Sequence, residues 1–379
     1  MKLLWIAPIR FGDTIHQVGE LGTAQALKKR GWSIDFVGAN SSSDAELFMI
    51  QKSFNLYQVK MLKFPGLSGL SFNYFLKKKL PTLIKNMNYD VIIVEWQAAL
   101  GYLKSMRIMS KENIIIPPWL FEDRSPPANN QILGRLQWLL YDLSWKKAAP
   151  KADAIEVLVP GLENFINQRF KLNLPVIYCP SGVDVDRFFN LNSPLGDCLN
   201  MVYHGSLDKE RGLKNIIKFG KELEIKKILF KITVFGSGPL STYFSEESTK
   251  NIWLDFKGRV DYDEVPKILS KHDIGLLPLP DKLPWNVGSP LKVMEYAASG
   301  LVTLATDVEG SLPFKNFDWF HMAPSSDPLP SWLKKIDLII DERNEFITLR
   351  ESARNTAESE LTWDSAVKSL DQTLRSFLS

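Results

Sequence analysis

Short apolar runs alternate along this chain with amphipathic stretches, and the alternation is completed twice. Leu3–Ala7, Ser33–Val37, Asp90–Val94, Asn113–Ile116, Ala154–Val159 and Pro175–Cys179 read as strands, Asp90–Val94 as one that is fully buried. Gly12–Arg30 reads as a loop leading into a helix that stops at Gly31. The pattern then restarts. Leu199–Tyr203, Phe230–Phe235, Trp253–Phe256, Ile274–Pro278 and Val302–Ala305 read as strands, and Leu213–Glu224 as a helix. Strands alternating with helices build a doubly wound, mostly parallel sheet. Two such sets predict an α/β protein of two Rossmann-like domains, 1–190 and 199–360, parted in Asn190–Leu199 where Asn, Ser, Pro and Gly cluster. A last helix, Thr362–Leu378, carries Trp363, Val367, Leu370, Leu374 and Leu378 on one face.

Composition agrees with two cores: 45% of 379 residues are hydrophobic. A net charge of +3 does not suggest a nucleic-acid binder, and no zinc-finger spacing supports one. His16, His204, His272 and His321 stand isolated and form no metal constellation, so each reads as a surface or packed histidine. Cys179 and Cys198 are the only cysteines, which predicts a reducing, cytoplasmic setting. The apolar run of Met1–Pro8 is too short for a signal-peptide core or a membrane span.

Open α/β sheets bind ligands beyond the carboxyl ends of their strands. Three such loops stand out in the second half. In Tyr203–Gly212 a strand runs into a small-residue turn, with Lys209 and Arg211 just before a helix. A helix N-terminus and two cations can hold a phosphate, and a solvated basic turn would look the same. Val234–Pro239 puts Gly236 and Gly238 after a strand, but it lacks the third glycine and the distant acid of a dinucleotide site, so it reads as a tight strand-to-helix turn, of a kind that can border a phosphate site. In Asn286–Gly300, Ser289 is a good N-cap and Pro290 suits the first helical position. Lys292 and Glu295 then share a helical face, as a solvated ion pair or as a phosphate cation beside a carboxylate for a ribose diol.

In this order the loops resemble those of family-4 retaining glycosyltransferases with the GT-B fold. The opening unit through Lys29-Arg-Gly31 is similar to that family's, including a glycine at Gly12 near the donor. Ser181–Phe188 resembles its segment before the linker, and Phe256–Val260 the loop that holds the nucleobase, which brings in Arg259 and Val260. Ser289–Tyr296 resembles its donor-binding helix, and Leu361–Asp364 the start of a final helix, 361–379, that crosses back to the first domain. The resemblance implies two facing domains with a cleft between them, acceptor on the first and nucleotide-diphosphate sugar on the second. It implies transfer with retention of configuration and no cofactor or metal, the leaving diphosphate being stabilised by cations and helix dipoles. On this reading Asp184 and Asp186 precede a linker and are not metal ligands.

The chain departs from the family pattern in three places. The first of a frequent glutamate pair is Val287 here, so backbone around Gly288, Ser289, Pro290 and Leu291 is expected to contact the donor sugar. The frequent Arg and Lys of the diphosphate site are Ser206 and Arg211, with Lys209 or Lys292 to compensate. A frequent histidine after the Asn113–Ile116 strand is missing. Trp119–Arg124 stands there instead, which makes Glu122, Asp123 and Arg124 the catalytic candidates, or else a loop ion pair.

The acceptor is expected to be a saccharide or a lipid-linked molecule. In Phe64–Leu80 aromatic residues run into Lys77, Lys78 and Lys79. The stretch from Leu67 to Leu80 can lie against an anionic membrane, with the protein peripheral on the inner face, or it can be a helix covering the sheet with a solvated basic end. Two other functions stay open: a GT-B nucleotide-sugar 2-epimerase and a non-catalytic nucleotide-sugar-binding protein.

Overall fold

The computed structural model describes residues 1–11, 17–40, 52–62, 68–128, 132–171, 173–189 and 195–378. They form two compact units, 1–180 with 366–379 and 181–365. The expected linker at 190–199 falls in the opening stretch of the second unit, and 190–194 lie outside the described residues. No helix among the described residues is long and apolar enough to cross a membrane.

The first unit is a parallel sheet of seven strands in the order β3-β2-β1-β4-β5-β6-β7. These are β1 (Lys2–Arg10), β2 (Ser33–Ala39), β3 (Asn55–Val59), β4 (Val91–Glu95), β5 (Trp119–Asp123), β6 (Ala154–Val157) and β7 (Val176–Tyr178). Leu3 pairs with Ile34 on one side and Val91 on the other. Flanked in this way, Leu3 through Ala7 and Val91 through Val94 are fully buried. The covering helices include α1 (Val18–Lys29), α2 (Ser68–Met87), α3 (Trp96–Lys111), α4 (Ile132–Lys147) and α5 (Pro160–Phe170). Helix α2 turns Phe72, Leu76, Leu80 and Ile84 inward, one row at helical spacing.

One expected strand is misplaced. Asn113–Ile116 is not a strand; β5 begins at Trp119. Asn113 turns back with φ 53°, Ile115 is 88% exposed, and Pro117-Pro118 have no N–H with which to join a ladder. Trp119–Asp123 is therefore sheet, not loop.

The second unit is a six-stranded parallel sheet, β10-β9-β8-β11-β12-β13. Its strands are β8 (Leu199–His204), β9 (Phe230–Phe235), β10 (Leu254–Gly258), β11 (Ile274–Leu277), β12 (Val302–Thr306) and β13 (Phe320–Ala323). Helices α6 (Lys214–Ile225), α7 (Ser241–Lys250), α8 (Val265–Leu269), α9 (Leu291–Ala298), α10 (Leu329–Asp341) and α11 (Phe346–Ser359) accompany it. One apolar cluster holds Ile216, Phe219, Trp332 and Ile336, the other Val293, Tyr296, Trp319 and Ala353. Strand order reverses between β8 and β11, and the loops after these strands are where such a sheet takes a ligand.

The expected last helix is split into α12 (Trp363–Ala366), at the end of the second unit, and α13 (Lys368–Ser376), in the first. Val367, Leu370 and Leu374 are buried, as their spacing predicts. Asp371 accepts from the Trp32 indole at 2.7 Å and from Arg30 at 3.3 Å, fastening the chain's end to the turn after α1. In the second unit, Ser181–Val183 runs beside Leu361–Trp363. Val183 N–H donates to the Leu361 carbonyl, and a Cβ on Gly182 would come within 2.6 Å of the Trp363 backbone. The two motifs that flank the expected linker and final helix thus form one structural piece.

Candidate functional site

Three glycine turns close on one another at the carboxyl ends of β8, β9 and β10. Gly205 N–H donates to the Phe235 carbonyl, Leu207 N–H to Ser237, and Gly236 N–H to Gly258. Gly236 has φ 142°, and a Cβ there would run into the Gly205 carbonyl oxygen. A side chain would hold the first two turns apart, so glycine is what lets them pack.

Lys292 lies over this junction. Its Nζ is 5.7 Å from the Tyr203 ring centroid, and a Cβ on Gly205 would come within 2.7 Å of it. Burial, and next the repulsion of Arg211, push the Lys292 ammonium down to about 7. Arg211 donates to Asp208 at 3.1 Å, and Ser206 Oγ donates to the same oxygen at 2.7 Å. Lys209 and Arg259 are exposed and make no ion pair among the described residues. Val260 is half-buried against the second apolar cluster.

Helix α9 starts one residue later than the sequence predicts. Pro290, not Ser289, holds the cap position, with ψ 92°, and no side chain caps the helix. Ser289 Oγ instead accepts the Ser181 N–H at 3.0 Å. Its hydroxyl is drawn off to the 181–183 segment, and the first N–H groups of α9, at Leu291 and Lys292, keep no side-chain partner. Gly288 is pressed against Gly310, where a Cβ would meet its carbonyl, and Val287 is buried at 4% exposure.

Glu295 is 2% exposed. One of its oxygens lies 3.1 Å from His204 Nε2 without hydrogen-bond alignment, and the other accepts from Tyr262 at 3.3 Å. The Arg187 guanidinium covers the Tyr262 ring at 4.0 Å. Of the two readings left open for Lys292 and Glu295, the ion pair is not formed among the described residues, and Glu295 makes these contacts instead. Neither His204 nor Tyr262 is singled out by sequence reasoning.

The first unit gathers an acidic cluster at the ends of β5 and β6. Glu122 accepts from the Trp5 indole at 2.7 Å and from Arg124 at 3.2 Å. Arg124 also reaches Glu20 at 3.4 Å and Glu156 at 3.9 Å. Asp123 points elsewhere, accepting from Tyr141 at 2.6 Å, Trp145 at 3.1 Å and Ser125 N–H at 3.0 Å. Burial pushes Glu122 up to about 7, Asp123 to about 6 and Glu156 to about 8. Glu95, at the end of β4, is raised well above the carboxylate range for the same reason. Among the described residues neither Glu156 oxygen has a nitrogen or oxygen hydrogen-bond partner, and the Cys179 thiol is its neighbour. Gly12 lies outside the described residues.

Residues 199–328 match the model of the family described as glycosyl transferases group 1. That stretch, about a third of the chain, is similar to the group 1 glycosyltransferases. The chain's fold is GT-B-like and is shared with solved structures of low identity. Sucrose-phosphate synthase from Thermosynechococcus elongatus superposes with a TM-score of 0.74 at 15% identity, over 100% of this chain and 99% of its own. A glycosyltransferase from Rickettsia africae gives 0.75 at 13%, over 100% and 98%. Anabaena Alr3699/HepE, solved in complex with UDP, gives 0.72 at 13%, over 99% and 100%. Comparison with curated proteins finds no match.

The matched stretch contains every turn of the second-unit site, from Tyr203 to Glu295. No group of three or more potential metal ligands occurs among the described residues. What the sequence hides is tertiary. Glu20 and Glu156 join Arg124 from different elements, although an acid in the apolar run Ala154–Val159 is a visible signal of a buried charge.

Proposed function

We propose that the second unit holds a nucleotide-diphosphate sugar, and that the enzyme passes the sugar to an acceptor on the first unit with retention of configuration and without a metal. The observation that carries this reading is the convergence of Lys292, Arg211 and the uncapped start of α9 beside the Gly205 and Gly236 turns. Two cations and free helix N–H groups supply the charge that a leaving diphosphate needs. A diphosphate would relieve the repulsion between Lys292 and Arg211 and draw Arg211 from Asp208. Lys209, Ser206 and Gly238 border the same turn. Amides at Gly288 to Leu291 face the sugar, and the Arg259–Val260 loop the base.

Glu295 takes the ribose diol. The Tyr262 hydroxyl occupies one of its oxygens through a long bond, which a ribose hydroxyl can replace. Of the trio Glu122, Asp123 and Arg124, Arg124 keeps part of its side chain at the surface while the two acids are fully buried. We assign Arg124 the contact with substrate. Glu122 is its positioning residue and Asp123 anchors the end of β5. The acceptor is a saccharide or a lipid-linked molecule, and the exposed edge of α2 can bring the enzyme to an anionic membrane.

Turnover of UDP-, GDP-, ADP- and dTDP-sugars, with excess chelator and the product anomer read by NMR, tests the reading. One donor should be consumed with its anomeric configuration kept. Inversion, or an absolute need for Mg²⁺ or Mn²⁺ at saturating donor, overturns it.

A further inference from the structure

The first unit contains a cavity of about 530 Å³ bounded by α2, α3, α4 and the segment after β5. This is in the size range of small-molecule sites, roughly 300–1,000 Å³. Its walls are fixed by polar bonds. Asn73 donates to the Gln97 carbonyl at 2.7 Å and accepts from Gly101 N–H at 2.5 Å, and a Cβ on Gly101 would come within 2.6 Å of Asn73. At this point only the Asn73 side chain lies between α2 and the backbone of α3. On the opposite wall the Trp96 indole donates to the Ser125 carbonyl at 3.1 Å, and its ring packs edge-on against Tyr141, 5.0 Å between centroids.

The lining combines apolar, uncharged polar and cationic side chains. Leu70, Leu100, Leu140, Pro126 and Pro127 give it an apolar side. Lys77 and Lys104 are the only charged residues that line it, and no carboxylate does, among the described residues. Lys104 makes no hydrogen bond or ion pair among them, and Lys77 has only the Tyr74 ring, 4.6 Å from its Nζ. Two unneutralised cations at one cavity, with apolar walls beside them, complement a ligand with an anionic head and a hydrocarbon body.

We propose that this cavity seats the acceptor, and that the acceptor is an amphipathic anion whose phosphate lies at Lys77 and Lys104 and whose hydrocarbon lies along Leu70, Leu100 and Leu140. The inference rests on the assignment of the acceptor to the first unit.

Decyl phosphate, decanol and inorganic phosphate are titrated calorimetrically into the full chain, with the wild type, the Lys77→Ala/Lys104→Ala double variant and Leu100→Trp, all checked for a native unfolding transition. Decyl phosphate should bind the wild type. Loss of both lysines should weaken it by roughly tenfold or more, the scale of a charged hydrogen bond. Leu100→Trp, which fills the apolar side, should abolish it. Decanol and inorganic phosphate should each bind far more weakly. The inference is overturned if the wild type ignores decyl phosphate, if the double variant binds it as well, or if inorganic phosphate binds equally. Nucleotide titrations in the same preparations keep the two readings apart: intact nucleotide binding without decyl phosphate binding sinks this inference alone, and the converse sinks the donor site alone.

Discussion

His204 Nε2 lies 3.1 Å from a Glu295 carboxylate oxygen, the two residues standing on adjoining elements at the carboxyl end of β8. With Tyr262 at 3.3 Å from its other oxygen, Glu295 has a polar neighbour at each oxygen before any ligand arrives. A carboxylate can accept two ribose hydroxyls at once. Glu295→Gln should weaken nucleotide binding by about 1.5 kcal/mol or more, roughly tenfold. Calorimetry checks it, and unchanged affinity in a folded variant removes Glu295 from the site.

Lys292 carries a consequence for pH. Its ammonium is pushed down to about 7, so above that pH the unliganded enzyme holds it largely neutral. A bound diphosphate favours the charged form. Binding at about pH 8 should therefore take up protons, and the observed heat should change with the buffer's ionisation enthalpy. Lys292→Met should remove that dependence. Equal uptake in the variant assigns the proton to another group.

The acidic cluster of the first unit predicts a stability profile. Glu156 and Glu122 are held above their ordinary values by burial, so folding binds their protons more tightly than the unfolded chain does. Stability from these groups is present at low pH and is lost as pH rises from the unfolded value toward the folded one. Glu156→Gln should raise Tm more at about pH 8 than at about pH 5. An equal change at both pH values, read by calorimetry, contradicts a protonated Glu156.

Gly236→Ala forces a side chain into the Gly205 carbonyl at φ 142°. The expected cost is about 1–3 kcal/mol of stability, with loss of diphosphate binding as the two turns separate. Retained affinity and Tm would mean that the turns have room to shift.

The strand–helix alternation made the two sheets legible, because parallel strands buried on both faces leave uninterrupted apolar runs such as Val91–Val94. Asn55–Val59 and Phe320–Ala323 carry no such run: the first is only partly buried and carries Asn and Gln, the second is short and interrupted by His321. Trp119–Asp123 was obscured by the isoleucines ahead of Pro117-Pro118, which offer a stronger apolar run outside the sheet. In the site, the cations and glycines were legible because strand-end turns advertise themselves. The partners of Glu295 were not, since His204 and Tyr262 reach it only through the stacking of β8, the segment before α8 and α9.

The central claim is that the turns after β8 and β9 and the start of α9 hold a diphosphate. Titration of UDP, GDP, ADP and dTDP, each beside its nucleoside, into the wild type and Arg211→Ala tests it most directly. One diphosphate should bind the wild type well above its nucleoside, and Arg211→Ala should erase that advantage while leaving the nucleoside's own affinity in place. Equal affinity of nucleoside and diphosphate for the wild type, or an equal loss of both in the variant, would contradict the claim.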